Sequence, residues 1–184
     1  MSKTMPDELK NVLNEVITEV NFIKASALNS GDMPRFSKIC KESGSEFETL
    51  LLHCHMKWLS KDITKFLKRI FILREEMQQV LQDAKPDMNA KFSYVHFLIS
   101  LSFLVDIFES VNSINLALQG KEISVLHCHE KLAAFKMKHE LWHAKLEKKL
   151  VLFLQMNAYI DENELNVDDD ILEVMKQHVS IYNF

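Results

Sequence analysis

The fold of this chain is decided by the stretch from Phe92 to Leu118, which reads FSYVHFLISLSFLVDIFESVNSINLAL. Between Lys91 and Asp106, fourteen residues pass without a single Asp, Glu, Lys or Arg. A membrane-spanning helix needs roughly 20 such residues, so this run is too short to cross a bilayer. Apolar side chains cover most of the helical circumference, which is typical of a helix at the centre of a folded domain. We therefore predict a buried central helix over about 89–118.

The composition favours few, long helices around this centre. Hydrophobic residues make up 47% of the 184 residues, which argues against disorder of the whole chain. There are only three Gly and three Pro, whereas average usage would give about a dozen Gly and about nine Pro. Such scarcity of turn residues favours helices over many short strands. We expect an all-α bundle of about five to seven helices.

Apolar spacing and cap residues set approximate bounds for these helices. We expect helices near 4–30, 35–42, 46–53, 60–85, 89–118, 124–156 and 168–182. Between them we expect a break at 43–45, a loop at 55–59 and an acidic linker at 157–167. The expected organisation is a helical domain over 1–156 and, packed on the same domain, a segment over 157–184 that combines the linker with a C-terminal helix.

Charge and cysteine usage bound the environment of the chain. The formal net charge is -4, but residues 157–184 hold seven acids and one base, so the remainder is weakly positive. Neither part has the strong basic excess of a free-standing DNA- or RNA-binding domain. Cys40, Cys54 and Cys128 are widely spaced, and the N-terminus does not resemble a secretion signal. These features predict reduced thiols in an intracellular compartment.

The sharpest local motif, at 139–143, reads HELWH and fits the HExxH pattern of zinc hydrolases. In that pattern two His one helical turn apart bind zinc, and the Glu acts as a base. Lysines flank the motif on both sides, which is typical of a solvated helix face rather than of a buried hydrolase helix. A zinc hydrolase that uses His139, Glu140 and His143 therefore ranks last among the hypotheses.

A second possible metal set is the triplet His-Cys-His, which occurs at 53–55 and again at 127–129. Successive residues on a helix point in different directions, so each triplet offers at most two ligands. Structural zinc sites more often show CxxC or HxxxH spacing. We interpret Cys54 and Cys128 as small core residues flanked by partly exposed imidazoles. We predict no metal and no other cofactor.

A basic cluster around one tryptophan suggests nucleic-acid binding. Trp58 lies beside Lys57 in the expected loop, and an aromatic ring next to a base can stack on a nucleobase. The more ordinary interpretation is that Trp58 fills the junction between two helices. The candidate nucleic-acid contacts are Lys57, Trp58, Lys61, Lys65, Lys68 and Arg69.

No catalytic set is recognisable in the sequence. The patterns GxxxxGK[ST], GxGxxG and GxSxG are absent. No three acids are identifiable as a two-metal site. The Lys/Glu faces of the last two long helices are interpreted as solvated surface.

Several stretches together resemble one family. They are 20–30 (VNFIKASALNS), 50–53 (LLLH), 57–60 (KWLS), 69–76 (RIFILREE), 103–108 (FLVDIF), Asn112, Asn115-Leu116, 119–121 (QGK), and Phe135 with Leu141-Trp142. Their order and spacing resemble the hAT-superfamily transposases. The resemblance is closest to domesticated vertebrate copies, such as BED-type zinc-finger proteins and the transposase-like tails of general-transcription-factor repeat proteins.

The resemblance implies that this chain corresponds to the helical insertion region of an RNase H-like transposase, between the second and third catalytic acids. By that alignment the three metal-binding acids and the DNA-binding finger fall outside the chain, so transposase activity is implied to be absent. A nuclear location is implied as well. Lys57-Trp58 matches an Arg-Trp pair that the family places near flanking DNA, although Lys loses the planar fork of Arg.

Three hypotheses follow, in this order. The first is a non-enzymatic, transposase-derived helical module that acts through protein contacts, by self-association or with a full-length relative. It predicts an exposed apolar patch, which we expect on the amphipathic first helix and on the final helix. The second is a residual nucleic-acid-binding module that uses the basic cluster. The third is the zinc hydrolase. We expect neither membrane association nor a small-molecule substrate.

Overall fold

The computed structural model describes residues 5–30, 32–51, 61–119, 124–147 and 153–182. Within these ranges it contains nine helices and no strand, which confirms the all-α prediction. The helices are α1 (Asp7–Ser30), α2 (Asp32–Glu42), α3 (Lys61–Ile72), α4 (Arg74–Ala84), α5 (Pro86–Lys91), α6 (Val95–Ala117), α7 (Val125–Glu147), α8 (Leu154–Glu162) and α9 (Asp169–Ser180).

The central helix is α6, as the apolar run predicts. It packs against α1, α3, α7, α8 and α9. Among the described helices, α6 alone is long and apolar enough to cross a membrane, but 72% of its most apolar window is buried by protein. Such burial is typical of the core helix of a folded domain. Thirteen of its 23 residues are buried, so the other helices enclose it on most sides.

α1 and α2 lie close to their predicted positions. α2 ends in a Schellman turn, in which Gly44 N donates to Lys41 O at 3.2 Å and Ser45 N donates to Cys40 O at 3.0 Å. Gly44 has a φ of +70°, a left-handed conformation that a residue without a Cβ adopts at no steric cost. The predicted break at 43–45 is confirmed.

The prediction of a helix at 46–53 is wrong over the described residues 46–51, which form bends and irregular backbone. A side chain of α3 holds this segment. Arg69 Nη1 donates to the carbonyl oxygen of Thr49 at 3.2 Å, and its guanidinium lies 4.3 Å from the centre of the Phe47 ring. These tertiary contacts replace the local bonds that a helix would have made.

The helix expected at 60–85 is kinked at Leu73, which divides it into α3 and α4. Leu73 has a φ of -90° and a ψ of 16°. The helical hydrogen bonds continue through the kink, because Leu73 N donates to Arg69 O and Met77 N donates to Leu73 O, each at 2.9 Å. Pro86 closes α4 as predicted, and it also opens α5 at a position where a missing N–H is harmless.

The helix expected at 89–118 is likewise two helices, α5 and α6, separated by a turn at 92–94. In this turn Ser93 N donates to Ala90 O and Tyr94 N donates to Lys91 O, both at 3.0 Å. The turn places the buried Phe92 ring 5.6 Å from that of Phe97, edge to face. Phe92 therefore belongs to the apolar core, although it precedes the first residue of α6.

The prediction of one helix over 124–156 is wrong, because Phe153 has extended backbone (φ -96°, ψ 117°) and a new helix, α8, begins after it. α8 has no cap from its own preceding residue. Instead, the buried carboxylate of Asp106 in α6 accepts hydrogen bonds from the backbone N–H groups of Gln155 and Met156, each at 3.1 Å. The expected acidic linker is correspondingly shorter, because its first part is helical.

Candidate interaction surface on α7

The inner face of α7 builds an aromatic cluster with α6, α9 and the start of α8. From α7, Trp142 lies 4.6 Å from Phe153 and 4.8 Å from His139, measured between ring centres. Phe153 lies 5.0 Å from Phe103 of α6. His139 lies 4.6 Å from Tyr182, just beyond α9. Such close aromatic pairs add stability beyond their buried area, so they fix this face of α7 to the core.

Two imidazoles are buried in this cluster. His178 of α9 lies 6.0 Å from Phe103 and 5.7 Å from Tyr182 between ring centres. Burial, and then the neighbouring His139, lowers the pKa of His178 to about 4. Burial also lowers the pKa of His139 and raises that of Tyr182. Both imidazoles are therefore neutral at physiological pH, and neither ring nitrogen of His178 has a hydrogen-bond partner.

The geometry at 139–143 separates the residues of the HExxH match. His139 is fully buried, and its Nδ1 lies 2.8 Å from the carbonyl oxygen of Phe135. Glu140 is exposed on a different face of the helix, and His143 is half-buried. In the described ranges no three His, Cys, Asp or Glu side chains come together as a metal site. The expectation that this face is solvated is wrong for His139, because the aromatic cluster covers it.

The outer face of α7 exposes a second apolar stripe. Met137 is 67% exposed and Leu141 is 50% exposed. Ala133 and Ala144 are exposed on the same face, one turn beyond each end of that pair. Leu126, 69% exposed, lies on the same face nearer the N-terminus of the helix, with the exposed Glu130 between it and Ala133. Glu130, Lys131, Lys138 and Glu140 are solvent-exposed, as interpreted from the sequence, and they share the outer surface of α7 with this apolar stripe.

The sequence contained a signal for this stripe that periodicity analysis missed. Apolar residues on α7 recur at helical spacing in two sets, one on each side of the helix. A helix that buries only one face shows one such set and a polar remainder. Residues of the two sets alternate along the same stretch of sequence. The two apolar faces therefore become distinct only when each residue is assigned to its side of the helix. The inner set is Phe135, His139, Trp142 and Leu146; the outer set is Leu126, Ala133, Met137, Leu141 and Ala144.

The apolar faces of α1 and α9, which we expected to be exposed, are buried instead. Leu9, Leu13 and Val16 of α1 and Leu172 and Met175 of α9 are each at most 2% exposed. Between α1, α6 and α9 there remains an apolar groove of about 460 Å³. Apart from this groove, the described parts of α1 and α9 do not show the expected exposed patch, and the larger exposed apolar side chains lie on α7 and near the ends of α6 and α8.

The basic cluster is only partly within the described residues. Lys57 and Trp58 lie outside them, and the side chain of Lys61 is not described. Lys65 and Lys68 are exposed on one face of α3. Arg69 contacts the 46–51 segment, as described above. Burial, and then the charge of Arg69, lowers the pKa of Lys24, so α1 contributes a further base that sequence reasoning did not include.

The two His-Cys-His triplets have different outcomes. The first, at 53–55, lies outside the described residues. In the second, His127 and His129 are exposed and Cys128 is half-buried near the start of α7. The second triplet therefore agrees with the interpretation for its exposed imidazoles, whereas Cys128 is only partly buried and is not the core residue that we expected.

Comparison with known proteins places the chain in a family. A model of the FAM200/GTF2IRD2 helical domain matches residues 2–147. General transcription factor II-I repeat domain-containing protein 2 of Mus musculus is 29% identical over 138 residues, which cover 75% of this chain and 14% of that protein. This chain thus corresponds to a small part of that relative's length. No solved structure matches this chain. Because the family model covers well over half of the chain, the chain belongs to the FAM200/GTF2IRD2-like helical-domain family.

Proposed function

We propose that this chain is a non-catalytic protein-interaction module that descends from a hAT-type transposase and acts in the nucleus. The transposase origin is supported by the motif order along the chain and fits the FAM200/GTF2IRD2-like family. The nuclear location is supported by the transcription-factor name of the mouse relative. The non-catalytic character is supported by the burial of His139, which removes it from any zinc site shared with the exposed Glu140.

The observation that carries the proposal is the exposed apolar stripe on α7. Met137 and Leu141 are large, each is at least half exposed, and they lie on a helix whose opposite face is locked to the core. A rigid helix that presents apolar side chains to solvent suits helix-to-helix recognition, because little ordering of the surface is required on binding. Singly exposed apolar residues need no explanation, whereas large apolar side chains grouped on one helix face are typical of interaction surfaces.

A site-specific photocrosslinking experiment in cells tests this function. A photoreactive amino acid replaces Met137 on the stripe, and in a matched control it replaces Lys68, which is exposed on α3. We expect a discrete crosslinked product from position 137 after irradiation and none from position 68. No discrete product from position 137, in a chain that is expressed and folded, would contradict the interaction function.

The alternative is a residual nucleic-acid-binding module, and the exposed side chains of Lys65 and Lys68 on one face of α3 favour it. Binding through phosphate contacts has an affinity that falls steeply with salt. The double variant Lys65→Glu/Lys68→Glu would then weaken DNA binding and flatten its salt dependence, whereas charge reversal of Lys176 on α9 would not. Equal affinity for the double variant and for the wild-type chain would rule this alternative out at α3.

A further inference from the structure

We propose that the partner on the α7 stripe is a second copy of this chain, which pairs its own α7 with the first in antiparallel orientation. This inference rests on the proposed interaction function and specifies its partner. Three features of α7 support it: the order of large and small apolar residues, the positions of charged residues beside them, and the rigid seating of the helix on the core.

The apolar stripe matches itself when one α7 is reversed. From one end to the other it runs small, large, large, small, as Ala133, Met137, Leu141 and Ala144. Reversal about a point between Met137 and Leu141 places Met137 opposite the partner's Leu141 and Ala133 opposite the partner's Ala144. The alanines allow the two helix axes to approach, while the larger side chains fill the centre of the contact.

The charges beside the stripe match in the same register. Lys136 and Glu140 flank the stripe on one side, and Lys145 flanks it on the other, with Glu130 near the N-terminal end of the helix. In an antiparallel two-fold pair, equivalent flanks of the two helices meet. Lys136 then faces the partner's Glu140, and Glu130 approaches the partner's Lys145. The two-fold symmetry repeats both pairs, so four opposite-charge contacts surround the apolar centre.

A parallel pair does not give the same complementarity. In parallel helices the two opposite flanks meet, which brings Glu140 toward the partner's Lys145 but also Lys136 toward the partner's Lys138. Like charges at a helix interface disfavour that arrangement. In the antiparallel pair the four opposite-charge contacts are set against one like-charged contact, between the two Lys138 side chains on the Lys145 flank. In the parallel pair attractive and repulsive contacts are equal in number, so charge favours the antiparallel register in which the apolar residues also match.

Charge-swap mixing tests the pairing directly. The measurement is the mass of the full chain in solution, by light scattering across a dilution series, for Lys136→Glu, for Glu140→Lys and for their equimolar mixture. In each single variant, two attractive contacts of the homodimer become repulsive. We expect each single variant to dimerise at least about tenfold more weakly than the wild type.

In the mixture, dimerisation should be restored as a heterodimer. The acid introduced at position 136 of one variant then faces the base introduced at position 140 of the other. At the symmetry-related contact, the unchanged Glu140 of the first variant faces the unchanged Lys136 of the second. Both contacts of the heterodimer are therefore attractive again, as in the wild-type pair.

The mixture separates pairing between chains from effects within one helix. Lys136 and Glu140 are four residues apart on the same helix, so each variant also changes a contact within its own chain. Mixing does not alter those internal contacts, and recovery of the dimer therefore reports contacts between chains. Lys68→Glu on α3, an identical charge change away from the stripe, is the matched control and should leave the dimer unchanged. Circular dichroism establishes that every variant is folded.

Two results would overturn this inference. A wild-type chain that stays at its monomer mass of 21.5 kDa up to its highest soluble concentration rejects self-association. A dimer that tolerates both charge reversals rejects the α7 pairing, and the variant Met137→Glu checks this independently, because it places a charge in the apolar centre. The photocrosslink at position 137 keeps the two proposals apart: a product of twice the chain mass supports a second copy, whereas a product with another protein retains the interaction function and rejects self-pairing.

Discussion

α6 and α7 have the same length, 23 residues, and both carry apolar residues around much of their circumference, yet their environments differ. α6 is enclosed by five other helices and is buried along most of its length. α7 is fixed to the core by one face and presents the other to solvent. The difference teaches that a helix with apolar residues on more than one face has two explanations, burial on all sides or a second apolar face that is exposed to solvent. The number of helices packed around it decides between them.

The contrast is sharpest when one large apolar side chain is removed from each helix. Phe103→Ala in α6 should lower the free energy of unfolding by about 4 kcal/mol, because it leaves a cavity beside Phe153 and His178. Met137→Ala on the outer stripe should change it by less than about 0.5 kcal/mol. Urea denaturation at low protein concentration, where self-association is minimal, measures both. Similar losses for the two variants would mean that the outer face of α7 is covered within the chain.

Glu19 tests the side of the core formed by α1. Its side chain is 1% exposed, and neither carboxylate oxygen has a hydrogen-bond partner. Burial raises its pKa to about 8, and the charge of Lys91 only partly opposes this. The folded-state pKa of Glu19 lies above the unfolded value of 4.5. The contribution of Glu19 to the free energy of unfolding is therefore full below about pH 4.5, and it is lost as the pH rises through 8.

Glu19→Gln removes this titration. From acidic to neutral pH, the free energy of unfolding of the wild type should fall by about 3 kcal/mol relative to that of the variant. Denaturation midpoints of both proteins across that range give the difference directly. Exposed Glu8→Gln on the same helix is the matched control. Parallel pH profiles for Glu19→Gln and wild type would show that Glu19 is ionised and paired in the folded protein.

His178 tests the junction where α6, α7 and α9 meet. Burial, and then His139, lowers its pKa to about 4, below the unfolded value of 6.5. Its contribution to stability is therefore present above about pH 6.5 and is lost as the pH falls through 4. Between neutral pH and about pH 5, the free energy of unfolding of the wild type should fall by about 2 kcal/mol more than that of His178→Leu. Thermal unfolding at the two pH values measures this, and a pH-independent difference would contradict the buried, neutral imidazole.

Substitution of Asp106 should have the smallest effect on the free energy of unfolding, because burial of the carboxylate and its hydrogen bonds act in opposite directions. Burial raises its pKa to about 6, whereas hydrogen bonds from Gln155 and Met156 favour the ionised form. Asp106→Ala removes the cap of α8 and should cost about 1 to 2 kcal/mol at neutral pH. Asp106→Asn retains an acceptor and should cost less. Urea denaturation of the two variants provides the comparison, and equal losses would show that charge, rather than the hydrogen bonds, holds α8 in place.

The sequence by itself determined the helical class, the identity of the central helix and the end of α2. These features depend on local chemistry: an uncharged apolar run over 92–105, few turn residues, and a glycine at the position where φ must be positive. Local patterns are reliable in such cases because the residues that cause the structure lie within a few positions of it.

Tertiary structure decided where helices are interrupted and which faces are exposed. Arg69 holds the 46–51 segment out of a helix, and Asp106 caps α8 from 49 and 50 residues away along the chain. The same is true of the site: spacing identified His139, but only the rings of Trp142 and Tyr182 packed against it show that it belongs to the core. Likewise, α7 has two apolar faces in its sequence, and the physical reason that one remains open is that α6 and α9 cover only the other.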